Sequence, residues 1–241
     1  MEATLLNHLS EEQVRNFYET LPGVWPDNDM WHTYSRKQIE NYIRKLSFQK
    51  DGYILNAGSG GNDYGISYHM HHVDIAKNKI EHLPNATVAS IEALPFDNEI
   101  FNDIICVGSV LNYCDAVSAI SELSRVLKKG GRLILEFESS WGFEHINTYA
   151  YKKDAEIASL NYFGQLQSQW LYSYDYIKKI IKGLNFEINN IYRFHIISGL
   201  HYNKFHSENK AAQLDVFDCI LRYIPILNRH SNNVMLTSSK L

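Results

Sequence analysis

Cysteine is scarce: Cys106, Cys114 and Cys219 are odd in number and follow no repeated spacing in the 241 residues. That excludes a disulfide framework and a cysteine-based zinc motif, and points to three reduced thiols. Long apolar runs are missing too, with no stretch of the ~18 residues that a membrane-spanning helix needs. The first residues, MEATLLNHLSEEQ, lack a basic segment followed by an apolar one, so a cytoplasmic location is expected. There is no excess of positive charge: 23 Lys and Arg against 27 Asp and Glu give a net charge of −4 and a pI near 6.2. This excludes a general electrostatic attraction to nucleic acid, leaving only a local basic patch for that role. No internal repeat and no low-complexity tract is present.

What is present is enough apolar material, 45% of the residues, to bury the core of one large domain. Ser10 and Gln13 form a capping-box pattern for a helix that Pro22 and Gly23 stop, and a second helix is predicted from about residue 35 to residue 46. Between them, VWPDNDMWHTYS is too rich in Trp and Tyr for an ordinary polar loop. YILNA, HHVDI, DIICVGS and GRLILEFES read as short, apolar, partly β-branched strands, the pattern of a sheet covered on both faces. In DAVSAISELSRVLKKGG, Val117, Ile120, Leu123 and Leu127 recur at helical spacing, with Asp115 as N-cap and Gly130 as stop. Strand, helix and strand in this order predict right-handed crossovers and an α/β fold with a doubly wound, mostly parallel sheet. Ligands of such sheets sit at the carboxyl ends of the strands, so the residues just after Ala57, Asp74 and Val107 matter most.

Beyond Ser140 the regularity weakens. A helix, a turn at Gly183, a long strand and a final strand from NNVMLTSS are expected, with residues 141–170 and 200–229 as insertions. Residues 141–227 hold 17 of the 31 Phe, Trp and Tyr residues, which suits either a cap over a pocket or separate small cores.

The first strand closes on ILNAGSGGND, residues 54–63. Gly58 and Gly60 fit the dinucleotide pattern G-x-G-x-x-G, but its last position is Asp63, whose charge would compete with a pyrophosphate for the same amides. The P-loop spacing from Gly60 to Gly65 is followed by Ile66 and Ser67, without the lysine. What remains is a ligand that needs close backbone approach and a nearby hydroxyl acceptor. Asp74, 16 residues after Gly58, can accept from both hydroxyls of a ribose, so this reads as a nucleoside site. The plain alternatives are a helix N-cap at Asp74 and an ordinary tight turn at the glycines.

At ILNAGSGG, HHVDIA, SIEALPF and RVLKKGGRLILE the chain resembles the class I S-adenosylmethionine-dependent methyltransferases, especially the ubiquinone-biosynthesis-type branch. The resemblance covers roughly residues 53 to 138, and EALPF and RVLKKGG are its most specific parts. It implies a seven-stranded Rossmann-like sheet with helical insertions, organised within one structural domain. Residues 1–48 would form an N-terminal helical cap, 49–140 the cofactor-binding core, and 141–241 the rest of the sheet with its substrate-capping insertions. It implies S-adenosylmethionine as cofactor and a small-molecule acceptor, methylated on oxygen or nitrogen. Asn56, Ala57, Gly58, Ser59 and Gly60 would approach the methionine portion, Asp74 would hold the ribose, and Ile75 would pack on the adenine. Ser90, Ile91 and Glu92 would lie at the adenine edge, with Gly108 and Ser109 beside the sulfonium. The chain departs from the pattern in three ways: Asn56 stands for the usual acid, Ser90 for an acid at the adenine, and Asn62 for a glycine. The interval to Asp74 is also shorter by about one helical turn, roughly 4 residues, which predicts a stub of a first helix. These departures favour a rival reading, a catalytically silent domain that binds S-adenosylmethionine or a partner protein.

Methyl transfer to a hydroxyl benefits from a general base, and histidine suits that task. His145, after the last predicted parallel strand, is the leading candidate and His32 the second; Tyr113 is a candidate for positioning the acceptor. His195, His201 and His206 complete the set. The run HMHH at residues 69–72 puts His69 and His71 on one strand face without an acid or cysteine companion, so no metal is expected there.

Overall fold

The computed structural model describes residues 10–26, 29–66, 69–205 and 207–241. The chain opens with helices α1 (Glu11–Thr20) and α2 (Met30–Arg44). Ser10 caps α1 by accepting from the Gln13 amide, and Asp29 caps α2 by accepting from the amides of Trp31 and His32. The second helix therefore begins five residues before the predicted start and absorbs most of the aromatic linker. Its buried residues, Trp31, Ser35, Ile39, Tyr42 and Ile43, recur at helical spacing, a period that the local density of aromatics concealed.

The core then runs β1 (Tyr53–Ala57), β2 (His69–Asp74), α3 (Lys77–Ile80), β3 (Ala86–Val88), β4 (Phe101–Cys106), α4 (Ala116–Val126) and β5 (Leu127–Glu138). Asp115 caps α4 through the Ser118 amide, as expected, but the helix ends at Val126 rather than at Gly130. Lys128 to Gly131 already belong to the strand, so the helix passes into β5 without a loop. Between β1 and β2 no helix forms among the described residues, less than the predicted stub.

The second half comprises β6 (Ala155–Tyr162), β7 (Gln165–Tyr172), α5 (Tyr174–Gly183), β8 (Phe186–Phe194), α6 (Ile197–Phe205), α7 (Glu208–Ala212), α8 (Asp215–Leu221), α9 (Pro225–Asn228) and β9 (Asn233–Lys240). Residues 200–229 carry the expected helices, whereas residues 141–170 contribute β6 and most of β7, which pair as an antiparallel hairpin.

Seven strands make the central sheet in the order β3-β2-β1-β4-β5-β9-β8. The five strands from β1 to β5 pair in parallel, and β9 runs antiparallel to both of its neighbours. One face is covered by α4 and α5 through Ile120, Leu123, Ile177 and Ile181, the other by α2 through Ile39 and Ile43. This double cover explains why Ile54, Leu55, Ile104, Ile105, Leu133 and Ile134 are consecutive pairs of fully buried residues with no polar alternation. Strand order reverses between β1 and β4, and the crevice at their carboxyl ends is where such a sheet takes a ligand. No helix among the described residues is long and apolar enough to cross a membrane.

Candidate active site

A cavity opens at that crevice, walled by the ends of β1, β2 and β4, by α1 and α2, and by the tip of the β6–β7 hairpin. Its floor is the glycine turn. The amides of Gly58 and Ser59 donate to the Val73 carbonyl at 2.8 and 3.0 Å, tying the end of β1 to the end of β2. Gly58 has a φ of +70°, and a Cβ there would lie 2.3 Å from the Val110 side chain, so only glycine lets the chain after β4 close onto the turn.

Asp74 lies in the cavity wall. Its carboxylate accepts from the Gly60 amide at 2.8 Å and from the Ala76 amide at 2.9 Å. Burial pushes its carboxyl up, while those two amides and the Lys79 charge oppose the rise. Asp74 thus does both things the residue type allows: it fixes the turn after β2, and it presents the remaining lone pairs of its two oxygens to the cavity. Ile75, Ser90, Ile91 and Glu92 line the same end. The Ser90 hydroxyl accepts from the Glu92 amide at 3.3 Å, and Glu92 accepts from the Asp115 amide at 2.6 Å.

Of the residues expected to meet the cofactor, Gly58, Ser59, Gly60, Asp74, Ile75, Ser90, Ile91, Glu92 and Gly108 line this cavity, and Asn56, Ala57 and Ser109 do not. Asn56 is 1% exposed and donates to the Asn62 carbonyl at 2.6 Å, so its amide is turned into the protein. Ser109 adopts a left-handed φ of 58° because its amide and that of Gly108 both point to the Glu136 carboxylate, at 2.7 and 2.8 Å.

Glu136 and Glu138 went unrecognised in the sequence. Burial pushes the Glu136 carboxyl up to about 7, against the bonds it receives from Asn233, Ser109 and Gly108. Glu138 is raised by burial as well, and accepts from the Ser109 hydroxyl at 3.1 Å. The signal was available: two acids spaced i, i+2 inside the apolar run LILEFES must share one face of a buried strand.

The other end of the cavity is aromatic, lined by Tyr18, Trp25, Tyr113 and Tyr162. Tyr18 and Tyr113 meet edge to face at 5.5 Å, and Tyr18 donates its hydroxyl to Tyr113. Gln169 donates to the same Tyr113 oxygen at 2.8 Å, which leaves the Tyr113 O–H as the donor. Tyr162, near the hairpin tip, donates to the Val24 carbonyl at 2.6 Å and so ties the hairpin to the segment between α1 and α2. Burial raises all three phenols, so they stay protonated at neutral pH and act as donors, not bases.

The histidines separate clearly. His145 is 1% exposed outside this cavity; burial pushes it down to about 4, and its Nε2 has no partner among the described residues. It packs where the turn after β5 meets α6, so it is a core residue and not the base expected from its place in the sequence. His32 sits one ring behind the cavity wall, 5.0 Å from the Tyr162 ring, with Nδ1 2.6 Å from Asp29. His195 is fully buried, stacked on Trp31 at 3.6 Å and held between Ser35 and Ser198. The His201 ring lies 4.5 Å from that of Phe205, tilted by 39°, and His206 lies outside the described residues. In the HMHH run, His71 bonds Thr87 and His72 bonds Ser59; among the described residues no three potential ligands gather as a metal site.

Residues 52–135 match the methyltransferase-domain family. An uncharacterized protein of Methanocaldococcus jannaschii is 24% identical over 159 residues, which are 61% of this chain and 62% of that protein. A ubiquinone/menaquinone biosynthesis C-methyltransferase of Geobacter sulfurreducens is 26% identical over 125 residues, 43% of this chain and 49% of that enzyme. This chain thus spans about half to three fifths of the length of these relatives. The fold matches that of geranyl diphosphate C-methyltransferase from Streptomyces coelicolor A3(2), crystallised with S-adenosyl-L-homocysteine, with a TM-score of 0.58 at 14% identity over 96% of this chain and 98% of that one.

Proposed function

We propose that the chain is an S-adenosylmethionine-dependent methyltransferase that methylates an oxygen or nitrogen of a small, hydrophobic or aromatic molecule. The observation that carries this reading is the Asp74 carboxylate, which lines the cavity wall beside Gly58 and Gly60 of the turn after β1. The residues present suit such a cofactor: an acid for the ribose hydroxyls, Ile75 and Ile91 as apolar surfaces for a purine, and backbone at Gly58 and Gly60 for close approach. When bound, S-adenosylmethionine supplies a methyl group on a sulfonium, open to in-line displacement.

The chain's own tasks are to align the acceptor, exclude water and take a proton. Tyr18, Trp25, Tyr113 and Tyr162 offer flat apolar surface with hydroxyl donors at its edge, which fits an aromatic acceptor. Because an ionised Asp29 can only accept, the 2.6 Å contact has His32 donating from Nδ1, and a neutral ring then carries its lone pair on Nε2, the atom for general-base work. The net charge of −4 favours a small acceptor over nucleic acid. Partial matches at 26 and 28% identity support the ubiquinone-biosynthesis-type branch, and since those relatives are C-methyltransferases they favour carbon as the second choice of attacked atom.

Calorimetric titration with S-adenosylmethionine tests the reading. Asp74→Ala should lose affinity by about 1.5 to 3 kcal/mol, the worth of charge-assisted hydrogen bonds. Unchanged affinity in a folded variant would remove the ribose role. Turnover against a panel of phenols, amines and quinols, read by mass spectrometry, then separates a working enzyme from a domain that only binds.

A further inference from the structure

The cofactor's amino-acid end carries a positive ammonium and a negative carboxylate, and neither charge is answered where the strand ends supply one. Asn56 is uncharged and turned inward to Asn62. The amides of Gly108 and Ser109 are spent on Glu136. Among the described residues lining the cavity, Arg36 is the one cation. It stands on α2 one turn before Glu40, which lines the same wall beside Asn62 and Tyr64.

Resting on the reading above, we propose that Arg36 and Glu40 form the clamp for the amino-acid end, Arg36 holding the carboxylate and Glu40 the ammonium. The pair is arranged for it. Arg36 gives only its Nε to Glu40, at 2.8 Å, so its two terminal NH2 groups remain as the planar fork that matches a carboxylate. The Glu40 side chain is 14% exposed and is steadied from three sides, by Arg36, by Arg44 at 3.1 Å and by the Asn62 amide at 3.4 Å. Asn62 also joins this corner to the glycine turn, since its amide donates to the Ser59 carbonyl at 3.0 Å and its carbonyl accepts from Asn56. Helix α2 thereby supplies the negative charge that the end of β1 lacks. The clamp discriminates: a ligand with the same adenosine and thioether but no amino-acid end gains nothing from it.

The test is calorimetry with S-adenosylhomocysteine and, in parallel, 5′-methylthioadenosine, which lacks both charged groups. Glu40→Gln and Arg36→Met should each weaken S-adenosylhomocysteine tenfold or more, the loss expected for one charge-assisted contact. Binding of 5′-methylthioadenosine should stay within twofold in both, which shows the adenosine site intact. The clamp is overturned if the Arg36 and Glu40 variants bind S-adenosylhomocysteine as the parent does, or weaken both ligands alike. If the parent protein binds neither ligand, the methyltransferase reading falls and takes the clamp with it.

Discussion

The two ends of the cavity are built by different means. The end at Asp74 is made of strand termini and a turn, with Gly60 and Asp74 fourteen positions apart. The end at Tyr113 is made by α1, the segment after it and the β6–β7 hairpin, and its tie from Tyr162 to Val24 spans 138 positions. The first is a local device carried by a sheet that many acceptor chemistries can share; the second is assembled from surface elements whose composition can change without disturbing the strands. On the proposed function, the place to look for the acceptor is the aromatic side.

The sharpest way to break this division is to alter one end and read the other. His32→Gln should cut kcat by about a hundredfold, the usual worth of a positioned general base, while cofactor affinity stays unchanged. A variant with parental kcat would transfer the proton-taking role elsewhere.

Next in size is Glu136. Its folded pKa of about 7 lies above the ordinary carboxylate value, so the folded protein binds a proton that the unfolded chain releases. Its contribution to stability is complete below about pH 4 and is lost as the pH rises through 7. Denaturant titrations should find the parent losing roughly 2 to 3 kcal/mol more than Glu136→Gln between pH 4 and pH 8. Equal slopes would mean that Glu136 is ionised throughout.

Tyr162→Phe removes the bond to Val24 and should cost about 1 kcal/mol of stability, with a weaker KM for the acceptor and no change for the cofactor. An equal loss for both ligands would show that the two ends work as one. The smallest effect belongs far from both: Tyr223→Ser, on a side chain 80% exposed, should change stability by less than about 0.5 kcal/mol and leave both affinities alone.

The same division marks what could be read in the sequence. Buried parallel strands advertise themselves as apolar runs, and caps such as Ser10 and Asp115 lie beside the helices they start, so β1, β2, β4, β5, α1 and α4 were legible from local pattern. The glycine turn and Asp74 were legible for the same reason. His145 misled because nearness to a strand end in the sequence does not say which way the next turn faces; it turns into the protein, toward α6. Arg36 looked like any charge on a helix surface, since nothing in its neighbours reveals that α2 lies along the cavity. Residues 141–227 are rich in aromatics, yet of these Tyr162 lines the cavity, while Phe217 and Tyr223 face outward. Composition reported how many rings there were and nothing of their direction.

The placing of β9 between β5 and β8 has a consequence for biogenesis. During translation β8 leaves the ribosome well before β9, its neighbour among the described strands, exists, and β5 waits with one flank unpaired. Until Asn233–Lys240 are made, that gap is an open strand edge, a template for stray strands from other chains.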